Sequence, residues 1–209
     1  MQEKRTIGSG VYIVIDPSMD RSILYSKLDA VLKEKIAALQ IWDHFHADDD
    51  IPGLIGELCR RCHAKGVPVL INNRWQYLVD TPLDGVHFDV IPEHYKTLQA
   101  EVNRPIISGI TCTNDVRSAI WAKDNAIDYL SFCSMFPSAT VSSCELVNHE
   151  SVRRAAAIYD GPIFLSGGIT PDNVGELNNL SYAGIAIISG VMNSDEPDQS
   201  IREYTRRIR

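Results

Sequence analysis

Short apolar runs alternate with helical-period segments eight times along this chain, and no other feature restricts the fold as much. The runs cover residues 11–15 (VYIVI), 39–42, 67–71, 85–88, 105–108, 127–132, 162–165 and 185–188. Most are apolar at successive positions, the pattern of strands buried on both faces. Between them apolar residues recur at helical spacing, as in Ile23, Leu24, Leu28, Val31, Leu32 and Ile36. Further helices are expected over 51–65, 75–79, 92–102, 114–125, 151–159, from Pro171 onward, and over 197–207. Strands strictly alternating with helices make a parallel sheet, and eight such units close a (β/α)₈ barrel. An open doubly wound sheet is the alternative. The eight units count against it, and so does the missing glycine-rich loop after the first strand. The glycines at Gly8 and Gly10 precede that strand and lack a third glycine at the required offset. At 209 residues and 44% hydrophobic, the chain can fill one core, and no linker or low-complexity segment divides it. One domain over 1–209 is the expectation.

A net charge of −7 argues against a nucleic-acid partner. The basic residues Arg202, Arg206, Arg207 and Arg209 suit the exposed face and C-terminal end of a last helix. No apolar run approaches the roughly 20 residues of a membrane span, and no signal peptide opens the chain. A soluble cytoplasmic protein is therefore expected. The five cysteines form no disulfide framework. Cys59 and Cys62 lie within a helical pattern, so the C-x-x-C spacing reads as helix packing rather than redox or zinc chemistry.

In a (β/α)₈ barrel, function sits at the C-terminal ends of the strands. Those ends carry Asp16; Asp43 and His44; Asn72, Asn73 and Arg74; His87 and Asp89; Thr111; Ser134; Ser166, Gly167 and Gly168; and Ser189 and Gly190. The last two strands both break into a small residue and glycine, around the stretch SGGITPDN. Glycines let the backbone approach a ligand, and the N–H groups of such turns and helix starts favour anions. A phosphate is expected against the N–H groups of Gly168 and Ser189, with Pro171 opening a helix nearby. A Gly168→Asp change is expected to abolish binding while leaving the barrel folded, since the position is on the rim. The cluster His44, His46, Asp48, Asp49 and Asp50 reads as a helix start rather than a metal site, because aspartates favour helix N-termini. His63, His94 and His149 read as surface residues.

Several pieces resemble one family when taken together: LINNR (70–74), DGVHF (84–88), SGIT (108–111), MFPSAT (135–140), SGGITPDN (166–173) and AIISGVMNSDEP (186–197). In this order and spacing the chain resembles the thiamine phosphate synthase/TenI superfamily over nearly its whole length. The resemblance implies a (β/α)₈ fold. Synthase members join a pyrimidine, activated as its pyrophosphate, to thiazole phosphate with Mg²⁺, whereas TenI members include a thiazole tautomerase. By resemblance the thiazole phosphate site comprises Gly167, Gly168, Ile188 and Ser189, with Ser166 and Gly190 beside them. By the same resemblance Gln40 matches the first residue of QLRxK, Asn72 the pyrimidine-contacting Asn, and Thr111 replaces a Ser of similar function. Ser138 and Thr140 match the hydroxyls of the PTxTK loop. Gln40, Asn72, Thr111 and His87 are the catalytic candidates.

The departures from the family pattern fall on charge. Trp42 and His44 stand at the Arg and Lys of QLRxK, and Val141 at the Lys of PTxTK. Asn73 and Pro92 occupy the two Mg²⁺-ligand positions, and Thr113 stands at the tautomerase histidine. Mg²⁺ is expected to bind weakly, or not at all without a phosphorylated ligand, and no other cofactor is expected. Three functions remain open: a divergent synthase; a TenI-like isomerase using His44, His87 or Asp89 as acid or base; or a non-catalytic binder of a phosphorylated heterocycle. All three take a small phosphorylated heterocycle as partner, with neither nucleic acid nor membrane, and all are compatible with a homo-oligomer.

Overall fold

The computed structural model describes residues 4–137 and 145–208. Eight strands form one closed parallel barrel in sequence order. They are β1 (Gly10–Ile15), β2 (Ala38–Ile41), β3 (Val69–Asn72), β4 (Gly85–Phe88), β5 (Ile107–Cys112), β6 (Tyr129–Phe132), β7 (Ile163–Ser166) and β8 (Gly184–Ile187). Closure occurs at β1, which pairs with β2 at Tyr12–Ala38 and with β8 at Gly10–Gly184. The helices are α1 (Arg21–Val31), α2 (Ile51–His63), α3 (Tyr77–Asp80), α4 (Tyr95–Val102), α5 (Arg117–Asp124), α6 (His149–Ile158), α7 (Ser189–Met192) and α8 (Pro197–Arg207).

The continuous apolar character of the strands follows from two separate cores. Val11, Ile13 and Ile15 of β1 point outward and pack with the helix faces. Tyr12 and Val14 alternate with them and point into the barrel, where they meet Leu70, Ile107, Tyr129, Phe164 and Ala186. A strand in this position has no solvated face, so period-two patterning disappears. Inside the barrel, the rings of Tyr12, Tyr129 and Phe164 pack edge to face, with centroids 5.3 to 5.9 Å apart.

Short polar side chains start the helices where the sequence places them. Asp20 accepts from the N–H groups of Ser22 and Ile23 to cap α1, and Asn148 accepts from Ser151 to cap α6. Asp50 caps α2 through the N–H of Gly53, which gives the acidic run before Ile51 its helix-start role. Cys59 and Cys62 are fully buried on α2, and burial pushes the Cys59 thiol up to about 12. Their spacing is that of core packing on one helix face. At the N-terminal end of the barrel, buried Asp84 accepts from the Val69 N–H at 2.8 Å and pairs with Arg5 at 3.1 Å. His63 Nε2 lies 2.7 Å from the same carboxylate, so His63 is half-buried and partnered rather than a surface residue.

Most element ends shift by one to three residues from the sequence reading, and three differences bear on the site. Strand β5 begins at Ile107 and runs to Cys112, so Thr111 lies within the strand opposite Ser131 rather than in a loop. The polar Ser108 and Thr111 stay within the strand because their side chains find partners, which a propensity reading does not count. No helix starts at Pro171. The segment is a turn in which Asn173 Oδ1 accepts from the Thr170 N–H and Asn173 Nδ2 donates to the Gly168 carbonyl, followed by a 3₁₀ turn, Val174–Leu177. Finally, Ser189–Met192 forms a single helical turn that has too few residues to show a period.

Gly109 of β5 stands between His87 and Tyr129 in the sheet register. A Cβ there would collide with the Tyr129 ring. Gly109→Ala should therefore lower stability by about 2 kcal/mol, the range typical of overpacking. Urea denaturation checks this, and a variant as stable as the parent would show that the Tyr129 ring can move aside.

Candidate functional site

The C-terminal ends of β2 to β6 supply the polar side of the site. Gln40, Asn72 and His87 are buried at the tops of β2, β3 and β4, and Thr111 is half-buried on β5. The structure brings all four into one hydrogen-bonded column. Thr111 Oγ1 lies 2.9 Å from His87 Nε2, and His87 Nδ1 lies 2.9 Å from Tyr129 Oη. Tyr129 Oη and Tyr12 Oη are 2.8 Å apart, and the Tyr12 hydroxyl donates to Gln40 Oε1 at 2.7 Å. Gln40 Nε2 donates to Asn72 Oδ1 at 3.2 Å, and Asn72 Nδ2 donates to Asp89 Oδ1 at 3.1 Å. Sequence reasoning missed Tyr12 and Tyr129. The available signal was a polar-tipped aromatic at an inward position of an apolar strand, since a buried phenol hydroxyl requires a partner.

Burial dominates the electrostatics of this column. It holds His87 down to about 4, against a smaller upward pull from Asp89, so the ring is neutral at physiological pH. It pushes both phenols well above their ordinary value, so they remain protonated.

On the β2–β3 rim the charges are paired among themselves. Asp43 accepts from Arg74 Nε at 2.7 Å. His44 Nδ1 is 3.1 Å from Asp16 Oδ2, beneath the Trp42 ring at a centroid distance of 5.0 Å. Partial burial pushes Asp16 up, but hydrogen bonds from Ser18 and His44 outweigh it and hold the carboxyl below the usual range. Asn73 Nδ2 donates to Asp89 Oδ2 at 2.8 Å, and the Asp89 N–H returns a bond to Asn73 Oδ1 at 3.0 Å. Asn73 is thus turned toward Asp89, and Pro92 offers no side-chain oxygen. Among the described residues, no group of three or more His, Cys, Asp or Glu could hold a metal ion. These residues do not fit a resident Mg²⁺.

The other half of the site is the β7–β8 rim. These strands are neighbours, with Ser166 opposite Ala186. Gly167 and Gly168 follow β7 with φ of 88° and 65°, the left-handed region. The segment after β6 packs onto this turn: the Met135 N–H donates to the Ser166 carbonyl at 2.9 Å, and the Phe136 N–H to the Gly167 carbonyl at 3.0 Å. A Cβ on Gly168 would lie 2.6 Å from the carbonyl oxygens of Phe136 and Pro137. Gly168→Asp would therefore displace the rim locally, because any side chain there strikes backbone. The Ser166 hydroxyl donates to the Phe132 carbonyl and serves the turn itself. Ile188 precedes α7, and Ser189 and Gly190 open it, both exposed. The first N–H groups of a helix lack intrahelical partners, so Ser189 and Gly190 present theirs at the rim. Ser138, Thr140 and Val141 lie outside the described residues.

Fold and site together define a class: a (β/α)₈ barrel with a two-glycine turn after β7, a helix-opening Ser-Gly after β8 and an uncharged polar column opposite. The thiamine monophosphate synthase (TMP-TENI) family profile matches residues 11–191, and the chain belongs to that family. A thiamine-phosphate synthase of Aromatoleum aromaticum is 25% identical over 195 residues, covering 93% of this chain and 94% of the relative. One from an Azoarcus species is 28% identical, covering 94% and 95%. The thiamine phosphate pyrophosphorylase from Pyrococcus furiosus has the same fold, with a TM-score of 0.80 over 94% of both chains at 19% identity. The protein is thiamine phosphate synthase-like. No helix among the described residues is long and apolar enough to cross a membrane.

The neutral, buried His87 has a consequence for stability. Its folded value near 4 lies below the value near 6.5 of a free imidazole, so the unfolded chain binds the extra proton first. Stability should be level above about pH 6.5 and fall by about 3 kcal/mol as the pH drops toward 4, on the scale of 1.36 kcal/mol per pH unit. Denaturant titrations across this range of the parent and His87→Gln check this. The variant should lose that part of the slope, and an identical slope in both would contradict the assignment.

Proposed function

We propose that this protein acts in thiamine biosynthesis as a thiamine-phosphate synthase, binding thiazole phosphate at the β7–β8 rim and coupling it to the pyrimidine carried as its pyrophosphate. One observation carries this reading: the closed barrel places the two-glycine turn and the Ser189–Gly190 helix start on the same rim as Gln40, Asn72 and Thr111. The first set supplies backbone N–H groups for a phosphate ester. The second supplies amides and a hydroxyl for a neutral heterocycle. The new bond joins the thiazole nitrogen to the pyrimidine methylene carbon, and the bond to pyrophosphate breaks. The match to synthases along almost the whole chain supports this reading.

The charge pattern favours a second reading, an isomerase or binder of the same phosphorylated heterocycle. Trp42 and His44 stand where a synthase carries cations, Arg74 is held by Asp43, and His44 is held by Asp16. Leaving-group charge grows as pyrophosphate departs, and fixed cations are what stabilise it. In this reading the Asp16–His44 pair supplies the acid and base. The reduced, buried cysteines fit a cytoplasmic enzyme.

Incubation with both synthase substrates should release pyrophosphate. If it does not, while thiazole phosphate changes tautomer by NMR, the isomerase reading replaces the first. Ser189→Asp places a negative charge at the phosphate site on an exposed residue, and should weaken thiazole phosphate binding at least about tenfold, or about 1.4 kcal/mol, without unfolding. Unchanged affinity would remove the site assignment.

Mg²⁺ alone should give no binding heat in calorimetry at millimolar concentration, because neither Asn73 nor Pro92 offers a carboxylate. Tight binding to the free protein would show a metal site elsewhere.

A further inference from the structure

The hydrogen-bonded column has a direction, and its chemistry fixes that direction from one end. The Asp89 carboxylate and the His87 backbone carbonyl can only accept, so Asn72 turns its NH₂ toward them, at 3.1 and 3.4 Å. Asn72 Oδ1 then faces Gln40, which must present its own NH₂, at 3.2 Å. That leaves Gln40 Oε1 to accept from the Tyr12 hydroxyl at 2.7 Å. A phenol has one proton, and Tyr12 has given its proton to Gln40, so Tyr12 Oη accepts from Tyr129 at 2.8 Å. By the same count Tyr129 Oη accepts from His87 Nδ1–H at 2.9 Å. A neutral imidazole has one N–H, so Nε2 is bare and accepts the Thr111 hydroxyl proton at 2.9 Å. Every link is consistent with one sense and none with the reverse.

We propose that Tyr129 and Tyr12 are positioning residues that hold His87 as its Nδ1–H tautomer, commit the Thr111 proton to the protein and leave Thr111 Oγ1 a pure acceptor toward the rim. Thr111 is the half-buried end of the column, whereas His87, Tyr129 and Tyr12 are buried. The ligand atom that meets Thr111 must therefore donate, as an amino group or ring N–H does, and a carbonyl or ether at that point is rejected. This last consequence rests on the heterocycle-binding reading above; the tautomer itself does not.

The test separates the two. Protein carrying ¹⁵N-histidine, without ligand, reports which ring nitrogen bears the proton, and the His87 signal among the six histidines is the one missing from His87→Gln. In the parent the proton should sit on Nδ1. In Tyr129→Phe the Nδ1–H loses its acceptor, and one hydrogen bond shifts the ratio about tenfold toward Nε2–H. In Tyr12→Phe the released Tyr129 proton should turn back onto His87 Nδ1 and force the same change, although Tyr12 has no hydrogen bond to His87. Each variant removes a single oxygen from an otherwise unchanged ring, and near-ultraviolet circular dichroism confirms folding. A parent protonated at Nε2, or Nδ1 protonation persisting in the folded variants, overturns the proposal. Binding then tests the consequence: with the tautomer changed, affinity for an aminopyrimidine should fall about tenfold, and affinity for the analogue lacking the amino group should not. Equal losses for both, with the tautomer shifts as expected, would overturn only the ligand reading.

Discussion

The contact between the Tyr12 and Tyr129 hydroxyls in the centre of the barrel constrains much of what surrounds it. Two phenols cannot be buried there unless each oxygen finds a partner, because an unmet hydroxyl in an apolar interior costs about 1–3 kcal/mol. The partners come from other strands of the barrel: Gln40 from β2, next to β1, and His87 from β4, across β5 from Tyr129. Those two recruit Asn72 and Thr111 in turn. An apolar barrel floor thereby becomes a polar column that emerges at the catalytic end. The glycine at position 109 belongs to the same arrangement, since the Tyr129 ring occupies the place its side chain would take. Core packing and site chemistry are here parts of one structure.

The two halves of the rim differ in how their polar groups are spent. On the β7–β8 side, the close approach of the segment after β6 to Gly167 and Gly168 holds the turn open, and the first N–H groups of α7 are left unbonded by the helix. On the β2–β4 side, the charged groups are paired with one another: Asp16 with His44, Asp43 with Arg74, and Asp89 with the two asparagines. The first side presents a two-glycine turn and a helix start. The second is close to neutral and already satisfied, so a ligand there meets hydrogen-bonding groups and an aromatic surface at Trp42 rather than a cluster of free cations.

The architecture was legible from periodicity alone. Eight apolar runs joined by helical segments admit few arrangements, and the small residues ending the seventh and eighth runs do fall on neighbouring strands. Asn72, His87 and Thr111 were legible as strand-end residues, and Gln40 only through the family resemblance. Two local errors share a cause. Thr111 of β5 and the Pro171 segment were assigned by propensity, and in both places a side-chain hydrogen bond decided the outcome: His87 with Thr111 in β5, and Asn173 with the Thr170 backbone in the turn.

By itself the sequence determined the order of elements, the helix starts at Asp20, Asp50 and Asn148, and the family, because each of these is encoded over a few neighbouring residues or in their repetition. Only the tertiary structure decided the column. Tyr12 and Tyr129 are 117 positions apart, and Asp16 and His44 are 28 apart. Nothing local marks either pair. Their pairing exists because closing the barrel brings β1, β4 and β6 around one interior, and burial there both forbids an unpaired hydroxyl and strips His87 of its charge.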